Sequence, residues 1–166
     1  MKHWPFKVLC GPADKPMIEV SYKDEEQHLT SLPSLLGGLV SLTQLHVANN
    51  KLINFPRLEI LKDKLSSWCR LISNLLVDLP DTVGSLWNLE ALHLSNNSLK
   101  SLPTMLFKLC TQLSTLDLHN TEITIDILNQ FEGWESFDER HRSKHQKQLD
   151  FRVGSSGVFD ECADKD

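Results

Sequence analysis

The sequence predicts an α/β solenoid: a right-handed superhelix of short parallel strands on a concave face, closed at its C-terminal end by a helical cap. Three observations carry this. Prolines recur at Pro33, Pro56, Pro80 and Pro103, spaced by 23, 24 and 23 residues, a period typical of stacked supersecondary units. Within each period, apolar residues two apart are followed three residues later by an Asn, as in Leu92, Leu94 and Asn97. After Ile125 the period is lost and a stretch of aromatic and charged residues begins, as expected where a cap must cover an open core.

The best-kept unit is residues 86–103, LWNLEALHLSNNSLKSLP. Its six leucines, Asn97 and Pro103 read L-x-x-L-x-x-L-x-L-x-x-N-x-L-x-x-L-P, the spacing of a leucine-rich repeat. Leu92 and Leu94 fall on one side of a short strand, with Ala91, His93 and Ser95 on the other. The turn that follows buries backbone groups, and the amide of Asn97 can both donate to and accept from them. Leu99 and Leu102 bring the chain back to the core, and Pro103 opens the outer arc.

Residues 1–24 hold Pro5, Pro12 and Pro16 and no clear period; they read as an irregular N-terminal segment, either a cap or a loose tail. The repeat region spans 25–133 in about four coils. A half-unit at 27–33 has Gln27 in the Asn place, and a full one follows with Leu36, Leu39, Leu42, Leu45, Val47, Asn50, Leu52 and Phe55. The next unit is irregular at 57–70: Leu58, Leu61, Leu65, Trp68 and Ile72 recur at helical spacing, which predicts a helical or irregular arc over 57–67. A degenerate repeat and a truncated or spliced isoform both account for it. The last unit has Thr121 where Asn97 stands in the one before, so the Asn series stops there. A cap helix is expected over 134–150, with Ile127, Leu128, Phe131, Trp134 and Phe137 covering the last coil, and a disordered acidic tail over 151–166.

Composition excludes several function classes. A formal charge of −5 and a pI near 5.8 leave no basic footprint for nucleic acid. The start, MKHWPFKVLCGP, lacks the apolar core of a secretory signal, and no long apolar run suggests a membrane span; a cytoplasmic monomer is expected. Cys10, Cys69, Cys110 and Cys162 form no C-x-x-C pair, which favours reduced thiols, and Cys69, at a strand-leucine position, reads as a small core hydrophobe. Asn96-Asn97-Ser98 is a formal glycosylation sequon that a cytoplasmic chain would leave unmodified.

The outward strand positions give the candidate site. His46, Arg70, His93 and Asp117 form its central column, with Trp68 beside it and His119 at its end. Trp and Arg dominate interface hot spots, so these six are the expected protein-binding residues. The alternative is that Trp68 packs into the irregular arc and Arg70 is merely solvated. His46, His93, Asp117 and His119 could be imagined as metal ligands, but the repeat dictates their spacing, and neither metal nor cofactor is expected. With no phosphate loop and no nucleophile–base pair, the chain is not expected to be an enzyme. The basic run Arg140, His141, Arg142, Lys144, His145 and Lys147 reads as a solvated helix with acidic neighbours, or as a site for an acidic surface.

Residues 79–99 follow the short intracellular repeat L-P-x-x-[VIL]-G-x-L-x-x-L-x-x-L-x-L-S-N-N-x-L, and residues 131–157, FEGWESFDERHRSKHQKQLDFRVGSSG, resemble the C-terminal cap of small plant cytosolic leucine-rich-repeat proteins akin to the plant intracellular Ras-group-related family. The resemblance covers about residues 29–157. It implies a curved solenoid acting as a protein-interaction scaffold in signalling, with no catalytic residues to carry over. An adaptor or regulatory subunit for a small GTPase, kinase or phosphatase is the alternative function. The chain departs from the family in its few repeats and in the broken consensus at 57–70.

Overall fold

Each repeat unit contributes one short strand, because only its two apolar residues two apart alternate as a half-buried strand must. The computed structural model describes residues 7–10, 16–19, 28–32, 42–55 and 65–155. Its strands are β1 (Lys7–Cys10), β2 (Pro16–Glu19), β3 (Gln44–His46), β4 (Trp68–Arg70), β5 (Ala91–His93) and β6 (Thr115–Asp117). They lie in one sheet in chain order. From β2 onward all pairs are parallel, and β1 pairs antiparallel with β2.

The N-terminal segment, expected to be irregular, therefore supplies two strands. An exposed ladder edge at β3 is a template for pairing, and backbone bonds to it need no hydrophobic period in the sequence that makes them. The arc expected over 57–67 lies largely outside the described residues. Of that arc only 65–67 are described, and they are irregular; Trp68, just past it, sits in β4 in register with Gln44 and Ala91, at the outward strand position its spacing predicts.

In β3 to β6 the middle residue of each strand points into the core. Leu45, Cys69 and Leu92 share one register row and are fully buried, and Leu116 extends the row half-buried. Burial pushes the Cys69 thiol up to about 12, so it packs as a hydrophobe where its neighbours have leucine.

Behind the strands an asparagine ladder links the units. Leu29 N–H donates to Asn50 Oδ1 at 3.0 Å, Leu52 N–H to Asn74 Oδ1 at 3.1 Å and Leu76 N–H to Asn97 Oδ1 at 3.1 Å. The amides of Asn74 and Asn97 donate back to Val47 O and Leu71 O of the preceding unit, at 2.8 and 2.9 Å. Each side chain thus satisfies buried backbone groups on two units at once. Thr121 donates only within its own turn, to Leu118 O at 2.7 Å. The residue before each ladder position, Asn49, Ser73, Asn96 and Asn120, has φ near +55° (56°, 55°, 55° and 54°), a left-handed conformation that Asn tolerates better than Ser.

The C-terminal end is closed by α1 (Leu106–Leu109), α2 (Ile125–Leu128) and α3 (Trp134–Ser155). Phe107 is the centre of the closure: its ring lies 5.8 Å from Phe131, 5.2 Å from Trp134 and 5.1 Å from Phe137. The corner before α3 is Gly133, with φ +87°; a Cβ there would stand 2.9 Å from the Phe107 carbonyl carbon. α3 runs five residues past the expected end at 150, through the start of what was expected to be disordered tail; residues 156–166 lie outside the described part. The basic run on α3 is not simply solvated. Arg140 Nε donates to Leu113 O at 3.0 Å, the His141 ring lies 2.9 Å from Ser114 O, and Lys144 Nζ reaches Ser114 Oγ and Thr115 Oγ1 at 3.2 and 3.1 Å. These side chains occupy groups beside β6 that a further repeat would otherwise meet.

Candidate functional site

The residues flanking the buried middle of each strand face the other way, and parallel pairing stacks them in rows. His46, Arg70, His93 and Asp117 occupy one row, extended at the β2 end by Glu19. The second row is Gln44, Trp68, Ala91 and Thr115. Gln44 and Ala91 are buried, at 8% and 3% exposure, while Trp68 is 38% exposed. Trp68 is thus the large apolar group left open between two covered neighbours.

The two rows meet at Trp68. The Arg70 guanidinium carbon lies 4.5 Å from the centre of the indole ring, within cation–π range. The His46 ring is nearly parallel to the same indole, 7° between planes and 6.3 Å between centres. Trp68 therefore does not pack into an arc, and Arg70 is half-buried against it. Among the described residues, Arg70 Nε and His46 Nε2 are both shielded from solvent without a hydrogen-bond partner.

The β6 end is arranged differently. Asp117 Oδ2 accepts from Ser95 Oγ at 2.9 Å, and Oδ1 accepts from His119 N–H at 3.2 Å. The His119 ring lies 3.3 Å from Oδ1, and His93 Nδ1 is 3.9 Å from Oδ2. Burial alone would raise the Asp117 carboxyl; the bonds from the His119 amide, Ser95 and the His119 ring outweigh it and hold the carboxyl below its ordinary value. His93 is lowered by burial first and by Arg70 next, against the pull of Asp117. His46 is lowered by burial and then by Arg70, opposed by Glu19. Both imidazoles are thus held toward the neutral form beside a permanent cation.

Of the six residues expected from sequence, four share the row, Trp68 stands beside it and His119 lies past β6, well exposed, clasping Asp117. Sequence reasoning missed Glu19, Ser95 and Lys144. Ser95 carried a signal, since it was an outward position two residues after His93; Glu19 sits in a segment without period, and Lys144, which also depresses His93, depends on where α3 docks. Two open grooves, of about 580 and 550 Å³, lie along α3, lined by Glu135, Asp138 and Arg142 and by Glu139, Lys144 and Lys147, away from Trp68. Among the described residues no group of three or more His, Cys, Asp or Glu is placed to hold a metal ion, and no helix is long and apolar enough to cross a membrane.

One short parallel strand per unit, an Asn turn behind it and a C-terminal helix fit the leucine-rich-repeat fold. A leucine-rich-repeat protein of Leptospira interrogans superposes with a TM-score of 0.50 and 31% identity, over 57% of this chain and 24% of that one. The chain is similar to plant leucine-rich-repeat proteins. It is 72% identical over 64 residues to a protein of Arabidopsis thaliana with leucine-rich repeats and a ubiquitin-like domain, and 75% identical over 57 residues to plant intracellular Ras-group-related leucine-rich-repeat protein 8 of Oryza sativa subsp. japonica. These matches cover 39% and 34% of this chain but only 17% and 15% of the relatives' lengths. No family model matches the chain.

Proposed function

We propose that the chain is a non-catalytic protein-interaction module, a right-handed leucine-rich-repeat solenoid that binds a protein partner through the concave face formed by its strands. The observation that carries this reading is the Trp68–Arg70–His46 stack: an open aromatic ring, with a cation held against it, at the middle of a pre-formed sheet face. Such groups lose little conformational freedom on binding and dominate interface energetics. The leucine-rich-repeat relatives support the same class of function.

The test is affinity capture from plant cell extract with the full chain, beside a folded variant carrying Trp68→Ala, Arg70→Ala, His93→Ala and Asp117→Ala. A partner held by the first and lost by the second is expected; a partner held equally by both places the site elsewhere and overturns the reading. If the partner is a small GTPase, kinase or phosphatase, its rate with and without the chain separates a regulatory subunit from a passive adaptor.

A further inference from the structure

Charge is distributed unevenly along the open row. Asp117 has both oxygens engaged, by Ser95 and by His119, and lies two strands away from Arg70. Glu19 lies two strands away on the other side. Arg70 itself makes no ion pair among the described residues, and its Nε is a shielded donor without an acceptor. Nε is closed to solvent, so an arriving acceptor meets the terminal amino groups of the half-buried guanidinium, which are not among the shielded atoms. His46 and His93 flank Arg70 on neighbouring strands, about 4.8 Å to either side.

Resting on the reading that this face binds protein, we propose that its ligand is an acidic peptide segment: one Asp or Glu carboxylate seats on Arg70 between His46 and His93, and an adjoining apolar side chain lies on Trp68. A guanidinium recognises a carboxylate through paired N–H donors, and the indole already holds the guanidinium in place. A singly charged carboxylate fits better than a phosphate, because Glu19 and Asp117 close the row at both ends and repel a dianion more strongly.

The arrangement also makes binding take up protons. The titratable and charged groups acting on the two imidazoles are Glu19 from β2, Arg70 from β4, Asp117 from β6 and Lys144 from α3, and His93 itself disfavours the charged form of His46. A seated carboxylate offsets the Arg70 field and favours the imidazolium form, so affinity rises as pH falls through the histidine range.

The test presents the full chain with a displayed library of random peptides and measures the selected sequences by fluorescence anisotropy. Asp and Glu are expected to be enriched next to an apolar residue. Replacing the selected acidic residue by its amide, or Arg70 by Gln, is expected to weaken binding about tenfold. Acidification from about pH 7.5 to about pH 5.5 is expected to tighten it roughly threefold, and His46→Gln with His93→Gln flattens that slope. Selection of neutral or basic peptides that Trp68→Ala loses overturns the acidic ligand while leaving the face as a binding surface. Peptides retained by Trp68→Ala overturn the face reading itself. A phosphoserine peptide that outcompetes its Glu counterpart, or a library from which nothing is selected, overturns the inference.

Discussion

The turn at Asn97 and the turn at Thr121 occupy the same place in successive units, and they are held in opposite ways. Asn97 bonds the unit before it through both ends of its amide, so its turn is fastened by the repeat itself. Thr121 bonds only its own turn, and the last unit is fastened from outside by Phe131 and Phe137 against its own Phe107 and by Arg140, His141 and Lys144 at the start of β6. An interior unit relies on a neighbour with the same sequence pattern. The terminal unit has none on one side, so side chains from a helix do the work that backbone and Asn do elsewhere.

The largest effect expected from breaking this contrast is at Asn97. Asn97→Ala strands the buried Leu76 N–H and the Leu94 carbonyl and leaves the Leu71 carbonyl with Asn74 as its donor, and should cost about 3 kcal/mol, read as a shift of the denaturation midpoint; the same change at Thr121 should cost well under half as much. At the terminal closure, Gly133→Ala forces a Cβ against the Phe107 backbone at positive φ and should cost about 2 kcal/mol, with protection from hydrogen exchange lost first at α3 and last at β4. Acid should act on the β6 end. Asp117 is depressed in the folded chain, so its contribution is present above its unfolded value and is lost as pH falls through the folded one; His93 is also depressed, so its neutral form contributes above its unfolded value and is lost below it. Both signs make melting temperature fall with acidification, and Asp117→Asn should flatten the acid limb of that curve. The smallest effect is a gain. Ser73 is the non-Asn among the four left-handed residues, it accepts a 3.4 Å bond from Asn96, and Asn120 donates to Asn96 at 2.7 Å. Ser73→Asn should extend that outer series and stabilise by less than about 1 kcal/mol.

The repeat could be read from sequence because leucine spacing and Asn position are local patterns that translate directly into strand and turn. The row could be read for the same reason: equal offsets in parallel strands put His46, Arg70, His93 and Asp117 side by side. What could not be read depends on contacts between distant segments. β1 and β2 join the sheet through backbone pairing, which leaves no period. Arg140 and Lys144 look like an exposed basic run until α3 docks beside the start of β6, and the bond of Ser95 to Asp117 needs the neighbouring unit in place. The arc over 57–67 lies largely outside the described residues, while Trp68 and Arg70, just past it, stand in β4 at the outward positions their spacing predicts.

Cys69 and Cys110 are both enclosed by core, with thiols pushed up to about 12 and about 11. One is the middle residue of β4, between Trp68 and Arg70, the other just after α1 at the terminal closure. A thiol so placed meets an alkylating reagent only when its surroundings open. The two cysteines are therefore native gauges of separate opening events: the rate at which each is labelled reports how often the middle of the sheet and the end of the stack come apart. A ligand seated on the open face should slow labelling at Cys69 more than at Cys110.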